Sequence, residues 1–286
     1  MKVAAIGDNV VDIYLDQKRM YLGGNSLNFA NFATEFVGVE SMYIGNFGND
    51  DLSDYVMEVL RDLTVDYHFS RVLQGDSGYS KLTLEKGERV FITSNRGGVL
   101  QSGINIDVQA LREINQCSLV HFNINGKADN YLENMHGPKV IYDYSDFSSF
   151  DQIKKTINQV DIACFSVGNL EIKAVRSFLN KVLRLATNPS LVVLITMGSK
   201  GAIAYRNGKI YRQKALEVQS VVDTMGAGDA FITAFSINLL QEDSMVNALE
   251  TAAKYSAKQI QRPGSFGYGT EAPDRFLKTI ENGVNQ

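Results

Sequence analysis

Short, almost continuously apolar runs recur along the chain in "KVAAIGD", "SMYIGNFG", "SLVHFNI", "KVIYDYS", "VDIACFSV" and "SLVVLITMG". Each reads as a strand buried on both faces. Helical patterns lie between most of them. "NSLNFANFATEF" reads as a helix. "DDLSDYVMEVLRDL" sets Leu52, Tyr55, Val56, Val59, Leu60 and Leu63 on one face, with Asp50 or Asp51 as its cap. Strands of this kind alternating with amphipathic helices predict an α/β fold with a central, mainly parallel sheet covered on both faces.

Two segments break the rhythm. "VDIYLDQKRMYLGG" and "GDSGYSKLTLEKGERVFITSNRGG" alternate polar and apolar residues, and the second carries a hairpin signal at Lys86-Gly87. They predict a small solvent-facing sheet, a lid over a site, from strands within about 11–22 and about 76–98. No Pro/Ser-rich linker, internal repeat or low-complexity tract appears, so residues 1–286 are expected to form one domain carrying this lid.

Composition narrows the classes. At 286 residues and 44% apolar content the chain can bury a substantial core. A net charge of -4 without a basic stripe argues against nucleic acid as a partner. The two cysteines, Cys117 and Cys164, lie in apolar runs and read as buried free thiols. His68, His121 and His136 have no metal-ligand spacing, and His121, in an apolar strand, reads first as a core residue. Gly7 and Asp8 interrupt the first apolar run, which excludes an ordinary signal peptide, and no apolar run would span a bilayer. The expectation is a soluble cytoplasmic protein with no membrane partner.

The candidate chemistry lies in "DTMGAGDAF", Asp223 to Phe231. "LEVQSVVD" reads as a strand entering this turn and "DAFITAFSINLL" as the helix leaving it. Amides at a helix start lack partners and carry partial positive charge, and glycines let a ligand approach them. Gly226, Ala227 and Gly228 can therefore hold a phosphate or a developing anion. Asp229 alone could be an ordinary first-turn acid. Beside an anion pocket, however, a carboxylate needs something between it and the phosphate, and a substrate hydroxyl that gives up its proton fits. The chain has no GxxxxGK[ST], and "GAGDAF" lacks the third glycine of GxGxxG, so P-loop and dinucleotide readings fail.

This turn resembles the C-terminal signature of the ribokinase/phosphofructokinase-B (PfkB) family of carbohydrate kinases. "GDNVVD" (Gly7 to Asp12) and "GGNSLN" (Gly23 to Asn28) resemble the family's two N-terminal sugar motifs, and "IGNFGNDDLSDYVMEVLRDLTVD" resembles the segment that follows. The likeness runs from residue 2 to about residue 262, nearly the whole chain. Within the family, "IGDNVVDIY", "GGNSLNFA", "RVF", "VHFNINGKADNYL", "YDYSD" and "DTMGAGD" are most similar to members that phosphorylate fructoselysine.

The resemblance implies a ribokinase-like fold and a set of roles. Asp229 is the catalytic base, and Gly226, Ala227 and Gly228 form the anion hole. Asp12, Gly24 and Asn28 hold sugar hydroxyls, with Asp8 nearby, since carboxylates and amides take hydroxyl donors in fixed directions. Against these stand plainer readings: a strand-end acid for Asp12, a polar helix face for Asn28, a simple turn for Gly24. "TMGSKG" resembles the nucleotide-binding turn and implies Thr196, Gly198 and Gly201 at the phosphates; a plain hairpin is the alternative. Ala253 and Ser256 fit an adenine pocket or simple core packing. Arg96, in the lid, could pair with the amino-acid carboxylate of fructoselysine.

The family's Asn-x-x-Glu motif is altered. Ser166 takes the Asn position and Asn169 the Glu position, with Glu171 two residues late, so the magnesium environment differs. Asp143 in "YDYSD" is a further candidate near the phosphates. A monovalent cation, potassium, is implied near Asp223 and Thr224. The expected activity is ATP- and magnesium-dependent phosphorylation of a primary hydroxyl on a sugar or sugar conjugate. Fructoselysine is the preferred substrate; ribose, fructose, 2-keto-3-deoxygluconate and adenosine remain alternatives, as does a non-catalytic sensor. Lid sheets in the family imply a homodimer.

Overall fold

The computed structural model describes residues 1–85, 88–96, 98–146, 149–168 and 170–277, so the Lys86-Gly87 hairpin signal and Asn169 lie outside the described residues. β1 (Lys2–Ile6), β2 (Val10–Tyr14) and β3 (Arg19–Gly23) precede α1 (Asn25–Ala33). β4 (Glu40–Ile44) and β5 (Asn46–Phe47) lead into α2 (Asp51–Asp62). Next come β6 (Arg71–Val72), β7 (Tyr79–Glu85), β8 (Glu88–Asn95) and α3 (Val108–Ile114). β9 (Leu119–Asn123), β10 (Lys139–Asp143), α4 (Phe150–Thr156), β11 (Ile162–Ser166), α5 (Ile172–Leu185) and β12 (Val192–Thr196) continue the alternation. The strands β13 (Ala202–Arg206) and β14 (Lys209–Gln213) precede α6 (Ala227–Glu242), α7 (Met245–Gln259), β15 (Thr270–Glu271) and α8 (Asp274–Leu277).

The larger sheet has eight strands in the order β14-β13-β12-β11-β10-β9-β1-β4. It is parallel from β4 to β12, and β13 and β14 run antiparallel at one edge. Its parallel strands are short apolar runs because both faces are covered. On one face Leu27 and Phe29 of α1, Val56 and Leu60 of α2, and Phe235 and Leu249 of α6 and α7 form one core cluster. On the other, Ile114, Ile153, Leu179 and Val182 of α3 to α5 pack with Val120 and Phe165. The chain leaves β1 for β4 on one side, and β9 takes up the other side of β1. Such a reversal opens a crevice at the carboxyl ends of the strands.

Side-chain chemistry sets several boundaries. Asp50 caps α2, its carboxylate accepting from the Ser53 amide at 3.1 Å. Asp51 instead pairs with Arg275. Cys117 and Cys164 are buried and free, as expected. His121 is 1% exposed and stacks on Phe29, and burial lowers its pKa to about 3, so it is a neutral core imidazole. Among the described residues no helix is long and apolar enough to cross a membrane.

The second sheet has five strands, β15-β3-β2-β7-β8. It joins the two alternating segments as expected and adds β15, which pairs with β3. Only its outer part faces solvent. β8 is exposed along most of its length, whereas Val11, Asp12, Ile13 and Tyr14 of β2 are all buried. The strand expected over "LEVQSVVD" is absent. Leu216, Val221 and Val222 are exposed, and the Val222 and Asp223 amides both donate to the Ile260 carbonyl, at 2.8 and 3.2 Å. Exposed along most of its length, the segment buries too little apolar surface to stand as a core strand.

Candidate active site

The crevice between β1 and β9 is lined by polar groups. Asn123, at the end of β9, donates from Nδ2 to Asp8 Oδ1 at 2.7 Å and to Ser26 Oγ at 2.6 Å. Gly24 introduces α1 at φ 98°, and a Cβ there would lie 2.6 Å from Asn9 Cα, so the entry to this helix admits glycine only. α1 then directs two amides toward α6. Asn25 Nδ2 bridges two acids, at 2.6 Å from Asp143 Oδ2 and 3.0 Å from Asp229 Oδ1. Asn28 Nδ2 lies 2.7 Å from Asp229 Oδ2, and its Oδ1 lies 2.9 Å from Ser265 Oγ, which donates its proton to the Leu22 carbonyl at 2.5 Å. Each oxygen of Asp229 is thus held by an amide of α1.

The start of α6 meets the requirements for an anion pocket. Gly226 is left-handed at φ 70°, and a Cβ on it would come within 2.6 Å of Ser265 Cβ. No side chain caps the helix. The Ala227 amide turns back to the Thr224 carbonyl at 3.3 Å. The amides of Gly228 and Asp229 donate to no protein group among the described residues, and Gly228 faces open space. Free donors, the helix dipole and a position without Cβ coincide one residue before the acid. The anion hole expected from Gly226, Ala227 and Gly228 therefore narrows: Gly226 shapes the turn, while Gly228 and Asp229 carry the free amides.

Asp229, Asp143 and Asp12 are each pushed toward the neutral form. Burial pushes the Asp229 carboxyl well above the usual carboxylate range; the Asp143 charge adds to this and the Asn28 hydrogen bond opposes it. Burial raises Asp143 to about 6, against its hydrogen bonds from Asn25 and the Ser145 amide. Asp12 rises to about 8, chiefly by burial, with the Arg89 charge opposing and the Asp223 and Asp8 charges adding. A carboxyl pushed toward neutrality is suited to exchange a proton with a hydroxyl.

The lid supplies Asp12, whose side chain lies against Gly23, where a Cβ would come 2.2 Å from Oδ2. Tyr14, also on β2, donates to Asp223 Oδ2 at 2.6 Å and so ties the lid to the turn before α6. Arg89 on β8 reaches Met225 Sδ at 3.2 Å, and its charge bears on both Asp12 and Asp229. Arg96 is exposed, and its guanidinium donates to the Asn125 side chain.

Of the residues expected at the nucleotide, Ser166 and Thr196 are register partners at the ends of β11 and β12. Gly198 opens the following turn at φ 55°. Gly201 has φ 90°, and a Cβ on it would come 2.1 Å from the Gln213 carbonyl, so this glycine serves the β13–β14 packing. Ser256 donates to the Ala227 carbonyl at 2.9 Å, which places α7 against the anion turn; Ala253 is buried in the core. Glu171 pairs with Lys200 at 2.9 Å.

Among the described residues no group of three or more His, Cys, Asp or Glu side chains could hold a metal ion. Asp223 is fully buried and accepts from Tyr14, the Met225 amide at 2.9 Å and the Gly264 amide at 2.8 Å. The potassium expectation falls on this turn, where Asp223 is engaged by these donors and the Thr224 hydroxyl is buried without a partner among the described residues. Sequence reasoning reached Asp8, Asp12, Asn28, Asp143 and Asp229. It passed over Asn25, Arg89 and Ser265, although Asn25 stands inside the quoted "GGNSLN".

Comparison with known proteins agrees with this geometry. The pfkB family of carbohydrate kinases matches residues 2–268. The chain is similar to fructosamine kinase FrlD of Bacillus subtilis, with 34% identity over 274 residues and 94% of each chain covered. It is 28% identical to fructoselysine 6-kinase of Escherichia coli, covering 92% of this chain and 99% of the relative. The structure of Arabidopsis thaliana ribokinase complexed with ribose and ATP superposes with a TM-score of 0.77 at 19% identity, covering 93% of this chain and 94% of that one, and shows the same ribokinase-like fold. The chain belongs to the pfkB family of carbohydrate kinases, enzymes that transfer phosphate to a sugar hydroxyl.

Proposed function

We propose that the protein uses ATP to phosphorylate the primary hydroxyl of fructoselysine, giving fructoselysine 6-phosphate. The observation that carries this reading is Asp229, held between Asn25 and Asn28 beside the free amides of α6. Asp229 accepts the hydroxyl proton as the hydroxyl oxygen attacks the γ-phosphorus. The bond from that phosphorus to the β-phosphate bridging oxygen breaks, and ADP leaves. The Gly228 and Asp229 amides receive the negative charge of the transferring group. Asp12, Asp8 and Asn123 accept from or donate to the sugar hydroxyls across the crevice. ATP lies toward Ser166, Thr196, Gly198 and Ser256, with Gly201 shaping the turn and Ala253 behind. Magnesium arrives on the nucleotide's phosphates as part of that substrate.

Fructoselysine is supported by two relatives whose names are fructosamine kinase and fructoselysine 6-kinase. Arg89 suits the carboxylate of the amino-acid part better than Arg96, because its guanidinium meets the Met225 thioether, a weak acceptor, whereas Arg96 is engaged by the Asn125 side chain. We read the chain as one domain in which the lid closes over the sugar and excludes water, with a second copy packed on the lid.

The test is ADP release with fructoselysine, fructose, ribose, 2-keto-3-deoxygluconate and adenosine side by side. Fructoselysine should give the highest kcat/KM. Asp229→Asn should lower kcat by about 10²–10⁴, the range expected for general-base loss, while ATP binding measured by calorimetry stays near wild type. Normal turnover in that variant, or a preference for ribose or adenosine, would overturn the assignment.

A further inference from the structure

α1 enters the crevice on a fixed path. Gly24 takes φ 98°, and the Leu27 amide reaches the Asp8 carbonyl at 3.3 Å. Ser26, fully buried, donates from Oγ to the Ile6 carbonyl at 2.9 Å and accepts from Asn123 Nδ2 at 2.6 Å. Asn25, the first residue of the helix, is thereby aimed between acids of two other elements. Its Nδ2 lies 2.6 Å from Asp143 Oδ2, at the end of β10, and 3.0 Å from Asp229 Oδ1, in the first turn of α6.

A primary amide nitrogen carries two hydrogens and can serve two acceptors at once. The two acids also settle which end of the side chain is nitrogen. Asn25 Oδ1 is buried without a partner among the described residues, and reversing the amide would set that oxygen against both carboxyl groups. Acids reached by one nitrogen stand within two hydrogen-bond lengths of each other, where like charges repel. The Asp143 and Asp8 charges raise the Asp229 carboxyl, while Asn28 and Arg89 on β8 oppose them. Around Asp143, the Asp8 and Asp146 charges raise and the Ser145 amide lowers; Cys164, its register partner on β11, is a buried thiol. Of all these groups, Asn25 touches both acids.

We propose that Asn25 is a positioning residue for the kinase base: its amide nitrogen, with one hydrogen on each acid, bridges Asp143 and Asp229 and so keeps the proton-accepting form of Asp229 within reach. This rests on the role of Asp229 given above, but the bridge itself exists in the ligand-free protein. Without it the two carboxyls would titrate as a pair sharing a proton. Asp229 would then meet the sugar hydroxyl already neutral over more of the pH range. A residue that only starts the helix would leave both ionisations where they are.

The experiment is a ¹³C titration of the Asp143 and Asp229 carboxyls in the full ligand-free chain, with the pH profile of kcat beside it. Asn25→Ala suits the start of a helix. It should raise the Asp229 midpoint by about one pH unit, about tenfold in the ionised fraction below the midpoint, and the acid limb of kcat should move with it. Asn25→Ser keeps a donor but has one hydrogen for two acids; it should shift the midpoint in the same direction by less, and it carries the test if Asn25→Ala does not fold. In an Asp143→Asn background the like charge is gone, and Asn25→Ala should move Asp229 by less than about half as much. An unmoved or lowered midpoint overturns the proposal. So does an equal shift without the Asp143 charge, or an acid limb that stays in place while the KM for sugar rises, which would make Asn25 a sugar contact. A shifted carboxyl in a protein whose Asp229→Asn variant still turns over would leave the bridge standing and remove only the assignment of Asp229 as base.

Discussion

Asp12 shows what a single buried carboxyl costs the fold. It sits on a buried strand, 4% exposed, and burial raises its carboxyl to about 8. A folded-state pKa above the unfolded value near 3.8 means that the native state binds more protons between those values. Stability is then greatest below about pH 4 for this group and is lost as pH rises toward about 8. The ligand-free protein should therefore lose stability through neutral pH, and a sugar that donates a hydroxyl to the carboxylate should restore it. Asp12→Asn removes the charge and keeps the shape. At pH 8 this variant should melt about 2–4 °C above wild type, the shift that ~1 kcal/mol gives in a large domain, with no such gain at pH 4, and sugar binding should weaken sharply. Thermal scans at the two pH values check it; equal gains at both would show that burial of the charge is not the cause. The same logic separates Asp12 from Asp223, whose carboxylate is satisfied by the protein itself.

At the scale of elements, legibility follows burial and spacing. The parallel strands announce themselves because each is apolar on both faces, and α2 because its apolar stripe follows a capping Asp50. "LEVQSVVD" misleads for the same reason: Val and Leu favour strands, but this stretch lies exposed and its last amides go to the Ile260 carbonyl instead of a sheet. β15 has two residues, Thr270 and Glu271, and owes its pairing to β3, so nothing local marks it. In the site, the turn into α6 is readable because its residues are contiguous. Asn25 meets Asp143 across 118 positions and Ser265 meets Asn28 across 237, distances only the fold closes. Lid specificity is hidden in the same way. Arg89 stands on β8 and is one basic residue among 28 until its reach to Met225 is seen. Arg89→Ala should raise the KM for fructoselysine about tenfold, the loss of one charge-assisted contact of ~1.4 kcal/mol, and leave the KM for fructose unchanged. A parallel rise for both sugars would place Arg89 with the shared hydroxyls or the lid's folding instead.

For the whole molecule, the lid raises the question of what covers β8. Among the described residues this strand lies at the edge of its sheet, paired with β7. Val90, Phe91 and Ile92 stand 37, 55 and 57% exposed, three consecutive apolar residues on an edge. Proteins seldom leave such an edge open, because it invites pairing with another chain. The register shift opposite Lys81 and Leu82 bends the edge, so side-chain packing with a second copy suits it better than a continuous ladder. An isologous contact would bury these residues in both copies at once and would brace each lid over its own sugar crevice. At micromolar concentration the protein should therefore sediment as a dimer. Ile92→Asp, which puts a charge at the centre of the patch, should yield monomer while leaving the far-ultraviolet circular dichroism and ATP binding intact. Because β2 and β7 are neighbours in the lid and β2 carries Asp12, the monomer should also show a raised KM for sugar. A wild-type protein that sediments as a monomer at the concentrations used for turnover would remove the second copy and leave the lid to close alone.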